Sequence, residues 1–259
     1  MTIRMATLFN AAILTALGAA AILFLLWLAG PDWSIYAPAS CTATRCFCEL
    51  PRSGSLIVQP ANSWSSLGFT FAGFLMILNA RGRGWASAFP PSAAYVYGAS
   101  AIFVGLGSVL LHATLTLWGQ FFDVVGMYLV SAFMAVAALT KWQRLPGRTA
   151  VVLYLALCVI LISLLIGIPE VRRWLFAVVL VTAIILELGF ARPLRRGIRP
   201  RLYLYGMATN AVAFTIWNLD QNGQLCAPES LFQGHAVWHI LGAVALWFSY
   251  LYYRSERAG

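Results

Sequence analysis

Charge is what this chain has least of. Asp, Glu, Lys and Arg make up only 10% of its 259 residues, against about 25% in an ordinary soluble domain. Acidic residues number eight and histidines three. So little charge excludes a water-soluble domain with a solvated shell. Polar interruptions are equally scarce: 61% of the residues are hydrophobic, and several apolar runs reach the roughly 20 residues that cross a bilayer as a helix. The expected fold class is all-α, a polytopic bundle of transmembrane helices. No internal repeat or low-complexity segment breaks the pattern.

Eight spans are expected, at roughly 6–28, 62–80, 93–115, 119–140, 149–168, 174–190, 202–218 and 232–252, with boundaries good to a few residues. The first is longer than the apolar core of a secretory signal and is followed by no clear small-x-small cleavage site. Residues 1–30 therefore read as a retained amino-terminal anchor, 31–61 as an outward-facing loop containing cysteines, and 62–254 as a seven-span domain.

Placing the amino terminus in the cytoplasm puts Arg4, Arg81, Arg83, Lys141, Arg144, Arg148, Arg192, Arg195, Arg196, Arg199, Arg201, Arg254 and Arg257 on that side. Only Arg45, Arg52, Arg172 and Arg173 fall on the other. This asymmetry follows the positive-inside rule and puts both termini in the cytoplasm. It also assigns the net charge of +9 to topology and anionic lipid headgroups rather than to nucleic acid. The short connections and basic loops read as a bacterial inner-membrane protein, whose outer side is periplasm; an organelle lumen is the other compartment that fits. Cys41, Cys46, Cys48 and Cys226 all fall in outward loops, and Cys158 lies inside a span. Four cysteines in a compartment that permits disulfides suggest two bridges, with three pairings open.

The same topology sets depth. His112 falls near the outer end of the third span, with Ser108 one helical turn before it. Asp123 falls near the outer start of the fourth, and His235 and His239 in the first turns of the eighth. At 3.6 residues per turn, His235 and His239 share one helix face, a common bidentate geometry for zinc. A lone histidine near a helix end is most often only hydrogen-bonded, but a third at matching depth makes a ligand set. Asp123 is the sharper signal, because a carboxylate within a span is costly and usually functional. Together these residues read as a three-histidine zinc site with an open position for water. Zinc brings the pKa of bound water down to about 7, Asp123 is placed to carry a proton, and Ser108 to stabilise an oxyanion. That is machinery for hydrolysing an amide or ester, and a site within the bilayer suggests a lipid substrate.

The sequence resembles the alkaline ceramidase family, within the seven-span zinc hydrolases that include adiponectin-receptor-like proteins. The family's S-x-x-x-H block and later buried Asp are matched by Ser108, His112 and Asp123, and its terminal H-x-x-x-H by His235 and His239. Trp217, Asn218 and Asp220, followed by Cys226, resemble its W-N-x-D and cysteine, and Cys48-Glu49 its amino-terminal Cys-Glu. The resemblance covers roughly residues 46–250. It implies hydrolysis of the ceramide amide bond to a sphingoid base and a fatty acid, with His112, His235 and His239 as zinc ligands. Asp123 would then be the general acid/base and Ser108 the transition-state stabiliser. It also implies the pairing Cys48–Cys226, which leaves Cys41–Cys46.

Two departures stand out. Gln59 occupies a position where the family usually has an acidic residue, and Pro51 one where asparagine is expected. Some members bind calcium there; with Glu49 nearly alone, a strong calcium site is not expected, since calcium takes six to eight oxygen ligands. The amino-terminal span is additional to the seven-span plan.

The competing reading is a non-enzymatic receptor or transporter with a structural metal site. Glu187, near the cytoplasmic end of the sixth span, would serve a proton relay there; its plainer reading is an interfacial carboxylate paired with Arg192 or its neighbours. Transporters, however, gather their polar groups at the midplane. Haem fits poorly, because axial ligands approach from opposite faces. Gly105 and Gly107 permit close helix packing, and nothing specifies an oligomeric state.

Overall fold

The computed structural model describes residues 3–44, 46–82, 85–193 and 197–257. Arg45, Arg83, Arg195 and Arg196, used above to orient the chain, lie outside the described residues. The architecture is a bundle of long helices: α1 (Met5–Ala29), α2 (Pro60–Ala80), α3 (Pro91–Thr114), α4 (Leu117–Gln143), α5 (Gly147–Gly167), α6 (Arg172–Ile185, continued by a π-turn over Leu186–Phe190), α7 (Pro200–Gln221) and α8 (Gly234–Ser255). Each corresponds to one expected span. Pro60, Pro91 and Pro200 open α2, α3 and α7, at the position where a missing N–H costs nothing.

Six of these helices are long and apolar enough to cross a membrane: α1, α3, α4, α5, α6 with its π-turn, and α8. The protein is an integral membrane protein. Helices α2 and α7 fall short of that measure because they carry polar side chains inward. The first turns of α2 hold Asn62, Ser63, Ser65 and Ser66, and α7 ends on Trp217, Asn218 and Asp220. In a bilayer such helices must turn these groups toward the bundle. Asn62, Ser63, Ser66 and Asp220 are indeed buried.

Packing runs α1 on α2, α2 on α3 and α8, α3 on α4, α4 on α5 and α6, and α7 on α8. The turn from α3 to α4 is only two residues long. Leu115 takes the left-handed conformation with φ 50°, and the Thr116 hydroxyl caps α4 by accepting from Gly119 N at 3.2 Å. This tight joint brings the end of α3 and the start of α4 to one level. The two helices then approach backbone to backbone at Gly107, where a Cβ would stand 2.5 Å from the Phe122 carbonyl oxygen. At Gly105 it would stand 2.2 Å from Thr70 Oγ1 on α2. Only glycine fits at either place.

The loop from α1 to α2 folds back over this end of the bundle. Its Val58 and Gln59 N–H groups bond to the Ala113 and His112 carbonyls at 3.0 and 2.9 Å, satisfying the last turn of α3, which has no helical donors left. Two disulfides, Cys41–Cys46 and Cys48–Cys226, hold the loop down. Cys158 is free and buried on α5.

At the opposite end, Glu187 departs from its expected place. It is buried and ion-paired with Lys141 of α4, and the Tyr252 hydroxyl of α8 donates to the same oxygen. Arg192 is exposed and donates to the neighbouring Ala191 carbonyl. The π-turn sets Glu187 on the inner side of α6, where a carboxylate needs a contact partner, and Arg192 lies beyond the helix end.

Candidate metal centre

The three histidines come from two helices that do not follow one another in the chain. His112 sits in the last turn of α3, and His235 and His239 lie one turn apart at the start of α8. All three are buried, at 1%, 7% and 3% exposure, in a place no isolated imidazole would choose. One ring nitrogen from each lies within 4.8 Å of the others, and the Nε2 atoms of His112 and His235 are 3.1 Å apart. Two nitrogens bound to one tetrahedral zinc at about 2.0–2.1 Å stand about 3.3 Å apart, so the donor set fits that ion.

The far side of two rings is fixed by α2 and the residue before it. Gln59 Oε1 lies 3.0 Å from His112 Nδ1, and Ser65 Oγ 2.9 Å from His239 Nδ1, with Ser66 Oγ at 3.2 Å. Each contact ties up an Nδ1 and leaves the Nε2 for a shared centre. Among the described residues, His235 Nδ1 has no hydrogen-bond partner. Ser108, one turn before His112, places its hydroxyl 3.4 Å from His239 Nε2 and accepts from Ser66 Oγ at 3.0 Å. The Asp123 carboxylate, from the second turn of α4, lies beside the Ser108 hydroxyl. Thus all five residues expected from the sequence meet in one place.

Four more belong to the site and were not foreseen in these roles: Gln59, Ser65, Ser66 and Phe47. The Phe47 ring packs 4.5 Å from the His112 ring and 4.3 Å from that of His235. Cysteines flank it on both sides, one in each disulfide. Alternation Cys-Phe-Cys was the only available signal. Glu49 is buried beside this group, and both its oxygens accept backbone N–H groups at the start of α2, from Ala61 at 2.8 Å and Asn62 at 2.9 Å. Burial pushes its carboxyl above the ordinary value, and these two N–H groups pull it part of the way back.

A buried trio of imidazole nitrogens, a carboxylate and a hydroxyl brought to one place can hold a metal ion and work on a water beside it. No curated protein matches the chain. The family model described as Ceramidase matches residues 40–258, from the start of the disulfide loop through α8 with α1 left outside, and the chain belongs to the ceramidase family.

Proposed function

We propose that this protein is a zinc-dependent amidase of the membrane, which hydrolyses ceramide or a closely related N-acyl lipid to a sphingoid base or amine and a free fatty acid. The observation that carries this is the convergence of His112, His235 and His239 beside Ser108 and Asp123, within the segment matched by the family. His112, His235 and His239 hold the ion. Zinc in a three-histidine site supplies hydroxide at neutral pH and polarises a carbonyl.

The chain's own groups do the rest. The Asp123 carboxylate takes the proton of the attacking water and returns it to the leaving nitrogen, so that the amide and one water become a carboxylic acid and an amine. The Ser108 hydroxyl donates to the oxygen that gains charge as the carbonyl becomes tetrahedral. Phe47 covers the histidines from the loop end and keeps bulk water off them. Helix α6 packs on α4 and helix α7 on α8 rather than on each other, which supports entry of an acyl chain from the bilayer between them. The distribution of basic residues along the sequence supports a reading with both termini in the cytoplasm and the metal centre toward the outer face. Helix α1, outside the family match, serves as an anchor.

The test is zinc content in mild detergent without added metal, measured for wild type and His235→Ala. About one zinc per chain in the wild type and much less in the variant is expected. Asp123→Ala is then expected to retain zinc and to lose hydrolysis of N-acyl lipids by about 100-fold or more, the scale of general acid–base catalysis. A wild type that carries no zinc and takes none up sinks the proposal.

A further inference from the structure

Gln59 is the most completely engaged polar residue of the site, and it lies outside the set that performs the chemistry. It is fully buried. Its backbone N–H donates to the His112 carbonyl at 2.9 Å, and its own carbonyl accepts from Ser63 N at 2.9 Å and Ser63 Oγ at 2.7 Å. Its side-chain Nε2 donates to the Glu49 carbonyl at 2.8 Å. Its side-chain Oε1 faces His112 Nδ1 at 3.0 Å.

The Glu49 contact decides which way the amide points. A carbonyl oxygen can only accept, so the amide edge beside Glu49 must be NH2, and the edge beside His112 must be the oxygen. An oxygen at that edge in turn requires His112 Nδ1 to carry the hydrogen. The imidazole is therefore held as the tautomer with a bare Nε2, the atom that faces His235 Nε2. The chain of constraint continues outward. The Glu49 carboxylate is locked onto the first amides of α2, and the preceding Cys48 is bonded to Cys226 in the loop before α8.

We propose that Gln59 is a positioning residue of the metal centre, setting the tautomer and ring orientation of His112 and passing to it the fixed geometry of the disulfide-held loop. This rests on the metal-binding reading given above. Partners of this kind behind a metal-bound histidine are worth about 10–100-fold in metal affinity.

The experiment is zinc affinity by chelator competition, together with the visible absorption of the cobalt-substituted protein, on detergent-purified full-length chains. Gln59→Met keeps length and volume but cannot accept a hydrogen bond; it is expected to bind zinc about 10–100-fold more weakly and to shift the cobalt bands. Gln59→Glu retains an acceptor and is expected to stay within a few-fold of wild type with its spectrum. Ser63→Ala, which removes a hydroxyl that donates to the Gln59 backbone carbonyl, is expected to leave both readouts unchanged. A folded Gln59→Met with wild-type affinity and spectrum overturns the proposal. So does a Gln59→Glu that loses zinc as badly as Gln59→Met, and where Gln59→Met does not fold, loss of zinc by Gln59→Glu decides alone. A wild type that binds neither metal fails at the earlier step and overturns the zinc-hydrolase reading with it, an outcome visible before any variant is made.

Discussion

Polar residues within the spans of this chain are rare enough that spacing alone picks out a candidate site. The pair His235 and His239, and the turn separating Ser108 from His112, could be read because a helix repeats every 3.6 residues and these side chains have few competitors. Gln59, Ser65 and Phe47 could not be read in this way. Their roles depend on a loop folding back over α3 and on which face of α2 meets α8, and neither is written in a periodicity. Gly107 illustrates the middle case. Its capacity for close packing was evident, but its target was not: it lets α4 approach at Phe122, immediately before Asp123. A Cβ at Gly107 would stand 2.5 Å from the Phe122 carbonyl and 3.0 Å from Asp123 N, and backbone cannot yield cheaply. Gly107→Ala is expected to cost about 1–3 kcal/mol by overpacking. It should also lower kcat by about 100-fold through a shift of the carboxylate on the order of 1 Å, with zinc content unchanged. A variant with wild-type kcat would show that α4 is free to move without disturbing the site.

Helices were the most legible layer. Long apolar runs leave a chain in lipid no other way to satisfy its backbone, so each expected span is a helix with nearly the expected ends. What the runs could not convey is how one helix faces another. Glu187 was placed at the interface beside Arg192, yet α6 widens into a π-turn and delivers the side chain inward to Lys141 and Tyr252. The result joins the ends of α4, α6 and α8 far from the metal centre, and Lys141 also lies 4.5 Å from the Tyr252 ring centre. Removing one member of a buried pair leaves an uncompensated charge, at a cost of about 3–5 kcal/mol, whereas replacing both by apolar side chains is often neutral. Lys141→Met and Glu187→Leu are each expected to lower the thermal midpoint in detergent sharply, and the double variant to recover most of the loss. If the double variant is as unstable as the sum of the singles, the pair is not acting as a pair.

At the scale of the whole molecule, the two disulfides bear on the metal centre more than on the bundle. The Cys41–Cys46 bridge closes a sequence separation of 5 and Cys48–Cys226 one of 178, and between them stands Phe47 with its ring against His112 and His235. The longer bridge also joins the loop carrying Glu49 to the segment just before α8, where Leu50 N bonds to the Pro228 carbonyl at 2.9 Å. Both histidine-bearing helices are thereby gripped from one side, and the aromatic cover is pinned at its two neighbours. In a bilayer the helices stay inserted when the bridges open, since their backbone groups remain satisfied within each helix. Reduction is therefore expected to leave helical content intact while freeing the cover. The measurement is the rate at which zinc passes to a water-soluble chelator, with and without reductant, for wild type and Phe47→Ala. Reduction is expected to speed the loss by at least about 10-fold, the lower end of what support around a metal site is worth. Phe47→Ala, with its disulfides intact, is expected to match the reduced wild type and to gain little from reduction. Equal rates in the oxidised and reduced protein would mean that the histidines are reached from the membrane side alone. The loop would then be a fastening for the helix ends and not a cover for the site.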